Sequence, residues 1–146
     1  MYPFDEINGL CCIISEAELD TPDSLKAASE LEIQKSCNGI GADWQSEKSR
    51  AIFTKILNYA EAAALIHDWE YAKSDGLIPN QRIADDRFLL NAYREIDFKY
   101  PHWWTWRRWC AKAAVTAAHT LLKRLGVVAW RLSYADKKLK EEGKIQ

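Results

Sequence analysis

Ala60-Glu61-Ala62-Ala63-Ala64-Leu65-Ile66-His67-Asp68-Trp69-Glu70-Tyr71 sets a histidine into an alanine-rich apolar run. Ile56, Ala60, Ala63, Ala64, His67 and Tyr71 recur at three-and-four spacing, the period of one helix face. The pattern predicts a long helix over roughly Glu47 to Lys73, with an interruption near Asn58. Ser74-Asp75-Gly76 closes it, and Pro79-Asn80 opens the next, with Asn80 as the expected N-cap. That second helix is expected from about Gln81 to Phe98, with Asp85, Phe88, Leu89, Ala92 and Ile96 on one face, and Tyr100-Pro101 stops it. A short connection makes the two helices antiparallel neighbours.

Working outward, the rest of the pattern is also helical. Thr21-Pro22-Asp23 reads as an N-cap, a first-turn proline and a first-turn acid, starting a helix that runs to about Gln34. Ser36-Cys37-Asn38-Gly39-Ile40-Gly41 breaks it, because two glycines and an asparagine favour turn conformations. A further helix is expected from about Trp103 to Leu125, ending at Gly126. A last one starts near Val127 and dissolves into a solvated charged tail, Lys137 to Glu142. Leu10-Cys11-Cys12-Ile13-Ile14 fits a short strand or a buried helix turn, and its periodicity does not choose between them. The expected architecture is all-α: a single helical domain over 1–146 built on two antiparallel core helices.

Bulk composition narrows the function classes. The chain has 146 residues, 48% hydrophobic and 28% charged, with a formal net charge of −1. That size can bury a core without staples, and that charge argues against a general nucleic-acid binder, which needs a basic face. Cys11, Cys12, Cys37 and Cys110 form no CxxC pair or regular framework, so reduced thiols are expected. The N-terminus shows no secretory signal, which points to synthesis in the cytoplasm. No long uncharged apolar run is present; the nearest, Ala111 to Trp130, holds Lys112, His119, Lys123 and Arg124.

Two polar residues sit where packing alone would not place them. His67 lies on the apolar stripe and Asp85 on the core face of the next helix. A buried carboxylate is costly without a partner, so Asp85 is expected to meet His67. A carboxylate on one imidazole nitrogen fixes the tautomer and frees the other nitrogen as a base. The same pair could equally tie two helices together with no chemistry at all. Tyr71, one turn beyond His67, can reach the same carboxylate. Asp68 is rotated by about 100° from His67, toward a different neighbour. If the Gly39–Gly41 loop lies there, its carbonyls and Asp68 make an oxygen cage of the kind calcium prefers. By default the two glycines are a helix-ending turn.

Cys37-Asn38-Gly39-Ile40-Gly41, His67-Asp68-x-x-Tyr71 and Asp85-x-x-Phe88, in that order, resemble the calcium loop, HDxxY helix and orienting aspartate of phospholipase A2. The resemblance is closest to small phage-encoded proteins with a CNGxG loop, an HDWxY helix and an ADxxF helix. It covers about residues 28–96, and it does not extend to the tryptophan-rich helices over about 103–142. It implies His67 as the base that activates water, Asp85 as its partner and Tyr71 as a brace on Asp85. It also implies a calcium ion held by Asp68 with the carbonyls of Cys37, Gly39 and Gly41, and a phospholipid or membrane surface as partner. Secreted members place disulfide-forming cysteines beside the HD pair, where this chain has Ala64 and Glu70. The separation from Gly41 to His67 is long, 26 residues, and Glu70 has no assigned role.

Trp103, Trp104, Trp106 and Trp109 interleave with Arg107 and Arg108. Such a segment suits a membrane interface, or a packed helix start or protein–protein anchor. Ala113, Ala117, Leu121 and Leu125 are expected to continue the helix as a buried stripe, which favours the second option. His102 and His119 lack metal-like spacing and are read as structural. Two function classes follow. One is calcium-dependent hydrolysis of a phospholipid acyl ester; the other is a non-catalytic virion structural or adaptor protein that keeps the fold and binds partner subunits in a phage particle.

Overall fold

The computed structural model describes residues 3–37 and 58–143, and no strand occurs among them. The elements are α1 (Phe4–Glu16), α2 (Asp23–Lys26), α3 (Glu30–Ser36), α4 (Glu61–Ala72), α5 (Ile78–Lys99) and α6 (Trp106–Glu141). The all-α expectation holds. Among the described residues no helix is long and apolar enough to cross a membrane.

α4 carries apolar residues on two faces because it is buried on two sides. Ala62, Leu65, Ile66 and Trp69 pack against Ile7, Leu10, Leu19, Leu25, Ile33 and Cys37 from the N-terminal helices and their connections. Its other face carries Ala60, Ala63 and Ala64 into a second cluster with Phe88, Ala92 and Ile96 of α5 and Ala111, Val115 and Ala118 of α6. The small alanines let α5 approach closely. Trp69 closes the first cluster, its indole N–H donating to Ser24 Oγ at 3.1 Å.

The start of α4 meets the end of α5, so the pair is antiparallel as expected. Ala60 provides no side-chain cap for α4. Instead the carboxylate of Glu95, wholly buried on α5, accepts from the Ala62 amide at 3.3 Å and the Ala63 amide at 2.9 Å. A negative group at a helix N-terminus satisfies orphan donors and opposes the macrodipole. Lys99 Nζ, 2.7 Å from Glu95, balances the buried charge. Asn91 does a similar service for the Leu19–Pro22 connection, exchanging two hydrogen bonds with the Asp20 backbone at 2.8 and 2.7 Å.

Several boundaries differ from expectation, each for a local reason. The single helix from Thr21 to Gln34 is two short ones, because Ser29 and Glu32 form a capping box that restarts the chain. Pro22 occupies the N-cap of α2, while the Thr21 hydroxyl donates to Leu19 O. Leu10 to Ile14 is helical, inside α1. α5 begins at Ile78, so Asn80 lies in its first turn and donates to Asp75 instead of capping. Residues 47–57 of the expected long helix lie outside the described residues.

The largest correction concerns Gly126, which does not end a helix. α6 runs without a break through it. The buried stripe of α6 is Ala111, Val115, Ala118, His119, Gly126 and Trp130, whereas Ala113, Ala117, Leu121 and Leu125 face outward. Alanine and leucine occur on both sides of this helix, so hydrophobicity alone could not choose the buried side. Polar contacts register α6 on α5: Asp97 pairs with Arg108 and Lys112, each at 2.7 Å, and Asp86 pairs with Lys123 at 2.7 Å and meets the His119 ring at 3.0 Å.

Candidate active site

Two helices converge on one carboxylate, and a third backs it. His67 on α4 and Asp85 on α5 face each other across the antiparallel pair, with His67 Nε2 3.0 Å from Asp85 Oδ1. Tyr71, one turn further along α4, donates its hydroxyl to the same oxygen at 2.8 Å. Gln81, one turn before Asp85, donates its amide to Oδ2. Asp85 has no exposed surface, so these three donors replace the water it gives up. The Tyr71 hydroxyl is pushed well above its ordinary range, by burial first and then by the Asp85 charge. It therefore stays protonated and keeps donating.

The imidazole is gripped as well as paired. Its ring lies 4.3 Å from the Tyr71 ring and 5.2 Å from Phe88, both tilted. With Nε2 committed to Asp85, Nδ1 is the free nitrogen and has no hydrogen bond among the described residues. The residue is 8% exposed, so it opens to its surroundings only narrowly.

α6 supplies the backing. Trp130 stands edge-on to Tyr71 with ring centres 4.9 Å apart. A Cβ at Gly126 would overlap the Tyr71 hydroxyl and come within 3.2 Å of Gln81 Nε2. The glycine is there because the phenol occupies the space of its missing side chain. Ser74, donating to Trp130 O at 2.8 Å, ties the α4–α5 turn to the same helix. Gln81 and Gly126 were both missed in the sequence. Gln81 is legible from its i, i+4 spacing to Asp85; nothing local marks Gly126, since the contact comes from another helix.

Asp68 points away from this cluster, as its rotation requires. Asp68 is half-buried; its Oδ2 is enclosed and has no partner among the described residues, and burial raises its pKa to about 6, opposed by His67. Cys37 lies close enough to feel that charge. Burial, and then Asp68, push its thiol up to about 12, so it remains a protonated, unreactive donor, 3.6 Å from Leu65 O. All four cysteines are free. Of the expected calcium ligands, Cys37 packs against α4 at Leu65, one turn before Asp68, while Gly39 and Gly41 lie outside the described residues. Among the described residues no three acidic, histidine or cysteine side chains are grouped to hold a metal. An enclosed carboxylate oxygen without a partner does fit a small hard cation completed by backbone carbonyls.

Glu70 acquires a role. It pairs with Arg87, which also holds Asp20 at 2.8 Å and so joins α4, α5 and the α1–α2 connection. The tryptophan segment lies apart from the His67 cluster. Trp103, Trp104, Trp106 and Trp109 are all exposed, which excludes a packed helix start. Arg107 is exposed too, whereas Arg108 is tied to Asp97. His102 stacks on Trp104 with ring centres 4.7 Å apart. The chain matches no family model, no curated protein and no solved structure.

Proposed function

We propose that this chain is a phospholipase A2-like hydrolase that cleaves a phospholipid acyl ester with a water activated by His67. The observation that carries the reading is the 3.0 Å contact between His67 Nε2 and a fully buried, three-donor Asp85 carboxylate. In this reading Nδ1 accepts a proton from water as its oxygen attacks the acyl carbonyl. Nε2–H donates to Asp85, whose negative charge stabilises the imidazolium that forms. The ester C–O bond then breaks, and Nδ1–H returns the proton to the departing alkoxide. Tyr71 and Gln81 keep Asp85 from rotating, and Phe88 keeps the imidazole from doing so.

Asp68 with the carbonyls of Cys37, Gly39 and Gly41 would hold calcium, which supplies positive charge against the developing oxyanion. The seat of Cys37 against Leu65, one turn before Asp68, and the enclosed Asp68 Oδ2, without a partner among the described residues, support that assignment. The resemblance to phage-encoded members extends the reading to a phage origin. Its test is release of fatty acid from phospholipid vesicles with and without calcium. Wild-type protein should release fatty acid only with calcium, and folded His67→Ala or Asp68→Ala should not. No release by the wild type, or unchanged release by either variant, refutes it.

A further inference from the structure

The outer face of α6 carries an apolar stripe that nothing among the described residues covers. Ala113, Ala117, Leu121, Leu125, Val128 and Leu132 turn away from α5, and the leucines and valine are 40–56% exposed. At the start of the same helix and in the turn before it, four indoles are 59–72% exposed. These rings are ordered: Trp109 Nε1 donates to Trp103 O at 2.7 Å, and Trp104 meets Trp103 edge-on. Solvent gives such a surface no reward, and a contiguous apolar patch marks a binding face.

Charge identifies what covers it. α6 holds nine Lys and Arg against two acids, Asp136 and Glu141, in a chain of net charge −1. Arg107, Arg124 and Arg131 are exposed and make no ion pair among the described residues. Arg124 and Arg131 follow Ala117 by two and four helical turns, so they rise from the stripe itself. In an antiparallel pairing of two copies these arginines would be buried against apolar rows without acids to meet them. A nucleic acid would use the cations but not the leucines.

We propose that the outer face of α6, with the Trp103–Trp109 cluster at its head, docks in the plane of an anionic phospholipid surface. Indoles sit at headgroup depth, the aliphatic stripe enters the acyl boundary, and the arginines extend to phosphate. The proposal rests on the phospholipid-substrate reading, and its test separates the two because binding is read without calcium.

The full chain is sedimented with phosphatidylglycerol or phosphatidylcholine vesicles in EDTA, with tryptophan emission followed in parallel. Binding should be at least about tenfold tighter to phosphatidylglycerol, with a blue-shifted emission, and should weaken as salt rises. Arg124→Ala with Arg131→Ala should weaken it about 25-fold, roughly fivefold for each cation lost. Arg82→Ala, on exposed α5 surface, should change nothing, and His67→Ala should bind as the wild type does. Equal binding to both lipids, no binding, or insensitivity to the arginine pair overturns the proposal. So does a dimer in sedimentation velocity that Leu125→Ser dissociates, since the occupant is then a second copy.

Discussion

Replacing Gly126 by alanine asks whether α6 is shaped around the Tyr71 hydroxyl. In a helix interior the change should stabilise by about 1 kcal/mol, because glycine loses more backbone entropy on folding. Here the new Cβ would collide with Tyr71 Oη. If the phenol swings aside, Asp85 loses a charge-assisted hydrogen bond, a cost of about 1.5–3 kcal/mol. If α6 moves out instead, the packing around Val115 and Ala118 opens, at about 1–3 kcal/mol. The net expectation is a loss of up to about 2 kcal/mol, or a melting temperature lower by up to about 8 °C for a chain of this size. Thermal unfolding followed by circular dichroism reads this directly. The decisive control is the same substitution in Tyr71→Phe, where the nearest ring carbon, Cζ, stands at an ordinary 3.6 Å. There only the flexible Gln81 amide, 3.2 Å from the new Cβ, has to give, and Gly126→Ala should stabilise. A higher melting temperature in the Tyr71 background, or the same sign in both, refutes the close-approach account.

Glu95→Ala removes the cap of α4 and strands Lys99; chemical denaturation should show a loss of about 2–4 kcal/mol. Arg87→Met leaves Glu70, whose pKa burial already raises, without its cation; the same assay should show a loss of about 2 kcal/mol. Asp68 has its folded pKa raised to about 6, so the folded state holds that proton more tightly than the unfolded one. Its contribution is therefore favourable below about pH 4 and is lost as pH rises through about 6, at most about 3 kcal/mol. Without calcium, Asp68→Asn should raise the melting temperature at pH 7.5 and have little effect at pH 4. Added calcium should stabilise the wild type but not this variant.

The two core helices and their shared carboxylate were legible because they depend on residues one turn apart and on a short connection. His67, Tyr71 and Asp85 break an apolar periodicity, and a polar side chain on a buried face announces a partner. What sequence hid was long-range. Glu95 looks like a surface acid until the unprotected start of α4 is seen beside it. Gly126 looks like a terminator because glycine's local meaning and its packing meaning are indistinguishable in one chain. The buried side of α6 is not legible locally, because Ala113, Ala117, Leu121 and Leu125 are as apolar as the side that packs; only α5 makes the choice. Ser29-x-x-Glu32, by contrast, is a capping box legible in the sequence itself, since its two partners lie one turn apart.

The central claim is that Asp85 orients a working base instead of merely pinning two helices. Asp85→Asn keeps the size and Oδ1 acceptor, but removes the charge that stabilises an imidazolium. Calcium-dependent fatty-acid release should fall by about 10²–10⁴-fold in this variant, with the fold retained by circular dichroism. Release at the wild-type rate from folded Asp85→Asn would contradict the account and leave the pair a structural tie.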